Sequence, residues 1–171
     1  MAQNSSPVKS DARHKLDAID FKILHDLQEN GRMTNVDLAH RAGISAPPCL
    51  RRLRALEEEG FIEGYHAEIN AQKMGYGVTV FTQVGLKSHN DSDLRAFAEK
   101  VETWSNVRES YMMTGDADFM LKVVARDWDD YQNFLTRELT AWPNVNMVRS
   151  SLTIGVTKRK PGVPIPANPD I

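Results

Sequence analysis

A chain of 171 residues suits one large domain or two small ones, and its 41% hydrophobic and 26% charged content is ordinary for a globular protein. The net charge of −2 gives no global sign of a polyanionic partner, and no apolar run approaches the roughly 18 residues of a membrane span. The single cysteine, Cys49, excludes an internal disulfide and a multi-cysteine metal site, which favours a reducing cytoplasm.

Residues 1–15 are polar and lack an apolar segment, so they read as a disordered tail rather than a signal peptide. Leu16, Ile19, Ile23, Leu24 and Leu27 recur at helical spacing, with Asp17 as a cap and Asn30-Gly31 as a stop. Thr34 caps a short second helix that Gly43 breaks. Ser45 opens a third, whose apolar stripe is Cys49, Leu50, Leu53 and Leu56 and which ends at Glu59-Gly60. Three short helices around a tight glycine turn form a helix-turn-helix over 16–65.

Charge is unevenly placed. Between Leu38 and Leu56 there is no acidic residue, while Arg41, Arg51, Arg52 and Arg54 all fall there. Pro47, Arg51 and Arg54 share one face of the third helix, beside Pro48, Arg52 and Ala55. Small residues in front (Ser45, Ala46, Pro47, Pro48) suit entry into the major groove, and arginines behind them suit phosphates or guanine edges. An N-cap side chain accepts from the second or third helical N–H. Here both positions are proline, so the Ser45 hydroxyl is left to donate to a phosphate or to face water. Cys49, on the apolar side, reads as a packed thiol.

Phe61 to Ile69 has alternating β character, and the glycine-containing stretch through Gly77 reads as a hinge, giving a linker over 66–77. Beyond it the pattern predicts a strand over 78–86, a helix over 91–104 and a strand over 107–113. A turn at Gly115-Asp116 and a strand over 119–125 follow, then a helix capped by Asp127 and a last strand over 145–156. This β-α-β-β-α-β order over 78–157 is the ferredoxin-like arrangement, so the fold class is α+β. Val80, Val84, Leu121, Val123, Ile154 and Val156 are expected to give the sheet two apolar faces, one of them paired with a second copy. Residues 158–171 hold four prolines and read as a loosely ordered tail. The five histidines are scattered, and neither a catalytic constellation nor a metal set is apparent.

In this order the residues resemble the Lrp/AsnC family of transcription regulators over 16–157. The resemblance rests on Leu16-Asp17-Ala18-Ile19-Asp20, Asn30-Gly31-Arg32, Gly43-Ile44-Ser45 and Pro48-Cys49-Leu50 with Arg52-Leu53. It extends through Gly60-Phe61-Ile62, Thr114-Gly115-Asp116-Ala117-Asp118-Phe119 and Trp142-Pro143-Asn144-Val145. It implies a winged helix-turn-helix that binds double-stranded DNA and a ferredoxin-like effector domain. It further implies homodimers assembling to higher oligomers, often octamers, on the nucleoid, with no cofactor. It also implies an amino-acid effector bound between dimers near the turn, which makes Thr114, Gly115, Asp116, Asp118, Trp128, Leu152 and Thr153 the pocket candidates. A carboxylate for the ammonium and glycine-exposed N–H groups for the carboxylate agree with that role; a plain hairpin turn is the competing reading. Two other functions fit the architecture. One is an enzyme subunit like the siroheme decarboxylases, which would have no need of the arginines; the other is an architectural, nucleoid-type DNA-binding protein.

Overall fold

The computed structural model describes residues 15–166, which fall into two units, one of 15–67 together with 159–166, the other Glu68–Lys158. The expected tail over 1–15 lies, except for Lys15, outside the described residues, as do 167–171.

In the first unit three helices, α1 (Ala18–Glu29), α2 (Asn35–Ala42) and α3 (Ala46–Glu58), bury Ile23, Leu27, Leu38, Ala39, Cys49 and Leu56 between them. Their ends follow from local chemistry. Asp17 accepts from the Ile19 and Asp20 N–H groups, and Asp20 reaches back to the Asp17 N–H, closing a capping box. Thr34 caps α2, and Gly43 takes the left-handed conformation at its end, φ 71°. Ser45 is the N-cap of α3 and makes no side-chain capping bond, as Pro47 and Pro48 dictate.

The β expectation for 61–69 is not met. No strand forms between α3 and Val78; a single 3-10 turn, Gln72–Met74, interrupts this stretch. The backbone is committed elsewhere: the Phe61 and Ile62 N–H groups both donate to the Leu56 carbonyl, at 2.9 and 3.3 Å, closing α3 over Gly60 at φ 76°. The Tyr65 hydroxyl then donates to Glu57 at 2.9 Å. Burial and this acceptor carboxylate push its pKa up to about 12.

The second unit is a four-stranded antiparallel sheet, β1 (Val78–Leu86), β2 (Val107–Met112), β3 (Phe119–Ala125) and β4 (Val145–Leu152), in the order β2-β3-β1-β4. Helix α4 (Asp91–Glu102) and helix α5 (Trp128–Phe134), which widens into a π turn over Leu135–Leu139, bury Phe97, Val101, Phe134 and Leu139 with the sheet core. The Asp127 carboxylate caps α5 from the Asp130 N–H at 2.8 Å.

Two expectations are corrected here. The last strand ends at Leu152 with one further rung, Thr153 N–H to the Thr79 carbonyl at 2.9 Å, so Ile154 and Val156 lie beyond it and are exposed. Val80, Val84, Leu121 and Val123 share one face rather than two: Val80 pairs with Val123 and all four are buried in the core. The opposite face, by strand alternation, carries Phe81, Tyr111, Met120, Val124 and Met147 among Gln83, Lys122 and Arg149. It remains apolar in part, with Phe81 and Tyr111 exposed.

Candidate nucleic-acid interface and effector site

Helix α3 carries two kinds of arginine, which its sequence does not separate. Arg52 forms ion pairs with Asp17 at 2.9 Å and Asp20 at 2.8 Å, fastening α3 to the start of α1. Asp20 is 1% exposed, so this guanidinium stabilises a carboxylate that water does not reach. Arg41 does the same for Asp26, placing its Nε and Nη2 each 2.9 Å from the carboxylate in a bidentate fork. Arg51 and Arg54 are exposed and have no carboxylate partner among the described residues. Of the three arginines expected to meet DNA, Arg51 and Arg54 are thus exposed and unpaired with a carboxylate among the described residues, while Arg52 is engaged in helix packing. The sequence does not announce these ion pairs, because the acidic partners lie more than thirty positions away.

The front of α3 is held by a residue that sequence reasoning passed over. The Asn35 amide donates to the Ala46 carbonyl at 2.9 Å, tying the start of α2 to the start of α3. Ser45 and Pro47 are exposed beside it, with Ala46 and Pro48 partly covered. Cys49 is fully buried and burial pushes its thiol pKa up, which fits a packed, unreactive side chain.

Arg41 holds the Asp26 carboxyl at about 2, against an ordinary value of 3.8; His25 and Lys22 act in the same direction while burial opposes them. A carboxyl whose pKa is depressed on folding contributes stability that is complete above its unfolded value and lost as pH falls toward its folded one. The melting temperature of the parent should therefore drop more steeply than that of Asp26→Asn between about pH 4 and pH 2. A gap between the two that stayed constant over that range would assign the acid transition to other groups.

The effector candidates fall into two groups. Thr114, Gly115 and Asp116 are exposed on the β2–β3 turn, where Gly115 has φ 118°, a conformation side chains rarely adopt. Asp118 closes this turn. Its carbonyl accepts from Met113 at 2.8 Å, its N–H donates to the Val84 carbonyl at 2.9 Å, and its Oδ2 accepts from the Leu86 N–H at 2.7 Å. Its Oδ1 faces His89 Nε2 at 3.3 Å. Asp118 thus pins the turn to the end of β1.

The second group lies at the start of β1. Leu152 pairs with Val80, and the Thr153 N–H bonds Thr79. Trp128 opens α5 just after Ala125, which pairs with Val78. Its ring lies 5.4 Å from that of Tyr131, whose hydroxyl links Thr82 and Ser150. Trp128 and Leu152 are exposed, while the Thr153 hydroxyl oxygen is buried without a partner among the described residues. At about 3.3 Å per residue, Thr79 and Leu86 stand roughly 20 Å apart. A single chain therefore does not gather the seven candidates around one small ligand.

Comparison with known proteins supports both halves. Residues 16–63 match the family model described as winged helix-turn-helix DNA-binding, and residues 79–163 match that of the Lrp/AsnC ligand binding domain. The chain is 53% identical over 146 residues to a leucine-responsive regulatory protein of Rhizobium meliloti, covering 85% of this chain and 94% of that protein. It is 41% identical over 140 residues to the Bkd operon transcriptional regulator of Pseudomonas aeruginosa, covering 82% and 92%. A transcriptional regulator from Neisseria meningitidis, solved as a complex with L-Met, superposes with a TM-score of 0.83 at 34% identity, covering 88% of this chain and 97% of that one. An AsnC family transcriptional regulator from Agrobacterium tumefaciens superposes at 0.81 with 35% identity, covering 87% and 97%. These relatives are transcription regulators, and with a helix-turn-helix in one unit and the ligand-binding fold in the other, the chain belongs to the Lrp/AsnC family of DNA-binding transcriptional regulators.

Proposed function

We propose that α3 enters the major groove of double-stranded DNA with Ser45, Ala46, Pro47 and Pro48 leading, and that Arg51 and Arg54 contact phosphates or guanine edges. The observation that carries this reading is the division of the arginines. Arg41 and Arg52 are neutralised by buried acids, whereas Arg51 and Arg54 stand exposed and without a carboxylate partner among the described residues. The reading extends to an amino-acid effector held between copies of the chain, the Thr114–Asp118 turn of one and Trp128, Leu152 and Thr153 of another. Its support is the separation of the two groups along β1 and the L-Met bound by the Neisseria relative. The partly apolar open face of the sheet suits pairing of two chains, and pairs then assemble to an octamer on the nucleoid in the cytoplasm.

Selection from random duplexes at a stated salt concentration tests the DNA reading. A regulator favours its selected site over random DNA by 10³ or more, while an architectural protein shows little ratio. A thermal-shift screen of the twenty amino acids tests the effector: at about 100 times its Kd a ligand adds roughly 2.7 kcal/mol. Light scattering should give a mass well above 19.3 kDa, and a stable monomer at micromolar concentration contradicts the assembly.

A further inference from the structure

Within the C-terminal segment expected to be loosely ordered, Val163 is held by two hydrogen bonds. The chain leaves the second unit at Lys158, and residues 159–166 belong to the DNA-binding unit. There the side-chain amide of Gln28, on the last turn of α1, pairs with both backbone groups of Val163. Its Nε2 donates to the Val163 carbonyl at 2.6 Å and its Oε1 accepts from the Val163 N–H at 3.0 Å. This two-bond clasp copies a strand pairing with a side chain. Gly162 makes it possible: it sits at φ 68°, and a β-carbon there would overlap the Gln28 side-chain oxygen. Lys160 lies 3.9 Å from Glu29 beside the clasp.

We propose that residues 159–163 form a strap that docks on α1, and that Gln28 and Gly162 are positioning residues for DNA binding. The strap braces the last turn of α1, the helix that holds α2 through Asp26 and Arg41 and α3 through Asp17, Asp20 and Arg52. The DNA-binding unit then meets DNA already ordered, which lowers the ordering cost of binding. Neither residue lies on α3, so the reading face is untouched by the strap's release.

The test uses the full chain with Gln28→Ala and, separately, Gly162→Val. The first removes the clasp from the helix side, the second from the backbone side. Trypsin cleaves after Lys158 and Arg159, whereas Lys160 is protected by Pro161. Loss of two hydrogen bonds should make cleavage at these sites about thirtyfold faster in both variants. Affinity for operator DNA should fall roughly three- to tenfold, with the dependence of affinity on salt unchanged. Equal cleavage rates in parent and variants would overturn the docking. Faster cleavage with parental affinity would overturn the positioning role. A reduced salt dependence would also overturn it, because the strap's basic residues would then be contacting phosphates themselves.

Discussion

Replacing Arg52 with alanine is expected to cost about 2–4 kcal/mol of folding stability and to weaken binding to every DNA sequence, while leaving the salt dependence of binding as it is in the parent. Breaking a buried ion pair costs more than the pair itself contributes, because the remaining charge stays desolvated. Asp20 is that charge: its side chain is 2% exposed, and without Arg52 it retains the Asp17 N–H at 3.1 Å. The loss sits at the lower part of the range for buried pairs because the Arg52 side chain is itself 28% exposed. DNA affinity falls because α3 is fastened to α1 through this pair. The salt slope stays because no phosphate contact is removed. Arg52→Lys should recover part of the stability only, since one ammonium does not reproduce the fork that reaches Asp17 and Asp20 together. Urea unfolding and DNA titrations at three salt concentrations read both effects. A slope lowered by about one unit in Arg52→Ala would place Arg52 on the DNA after all.

Asp118→Ala should cost about 1.5–3 kcal/mol, the range for a hydrogen bond to a charged group, because it strips the Leu86 N–H of its 2.7 Å carboxylate acceptor. Read from sequence, Asp118 is one of the two candidate carboxylates for an effector's ammonium. The geometry gives it a structural duty as well, so alanine confounds the two. Asp118→Asn separates them: an amide oxygen still accepts from Leu86, while the charge that would hold an ammonium is gone. This variant should unfold within about 1 kcal/mol of the parent, the difference between a charged and a neutral acceptor, and bind DNA normally without effector. It should also lose the effector's influence on DNA binding. An Asp118→Asn protein that responds as fully as the parent places the ammonium site elsewhere.

What sequence made legible were features written in neighbouring residues. The apolar periodicity of 16–27, the stops at Gly43 and Gly60, the cap at Asp127 and the uncapped Ser45 before two prolines all appear where expected. The alternation of Tyr65, Ala67 and Ile69 misled because periodicity is silent about where backbone donors go, and Phe61 and Ile62 spend theirs closing α3. The ion pairs of Arg52 were hidden for a related reason. Helical spacing puts it beside Arg51, and only the packing of α1 on α3 brings Asp17 and Asp20 to it. The effector candidates could be named from the sequence, but their separation to opposite ends of β1 is a matter of antiparallel register. The Gln28 clasp carries no pattern at all: a single glutamine on a helix meets one glycine-bearing segment 135 positions later.

The division of the arginines is most directly tested by the slope of log affinity against log salt for Arg51→Ala/Arg54→Ala beside the parent on the same operator. If both arginines meet phosphates, the slope should flatten by about two units, as each lost phosphate contact contributes about one. Where one of them reads a guanine instead, the slope changes by about one and preference relaxes at a single base pair by about 1–3 kcal/mol. A double variant with the parent's slope, affinity and base preference would show that α3 is not the surface that reads DNA.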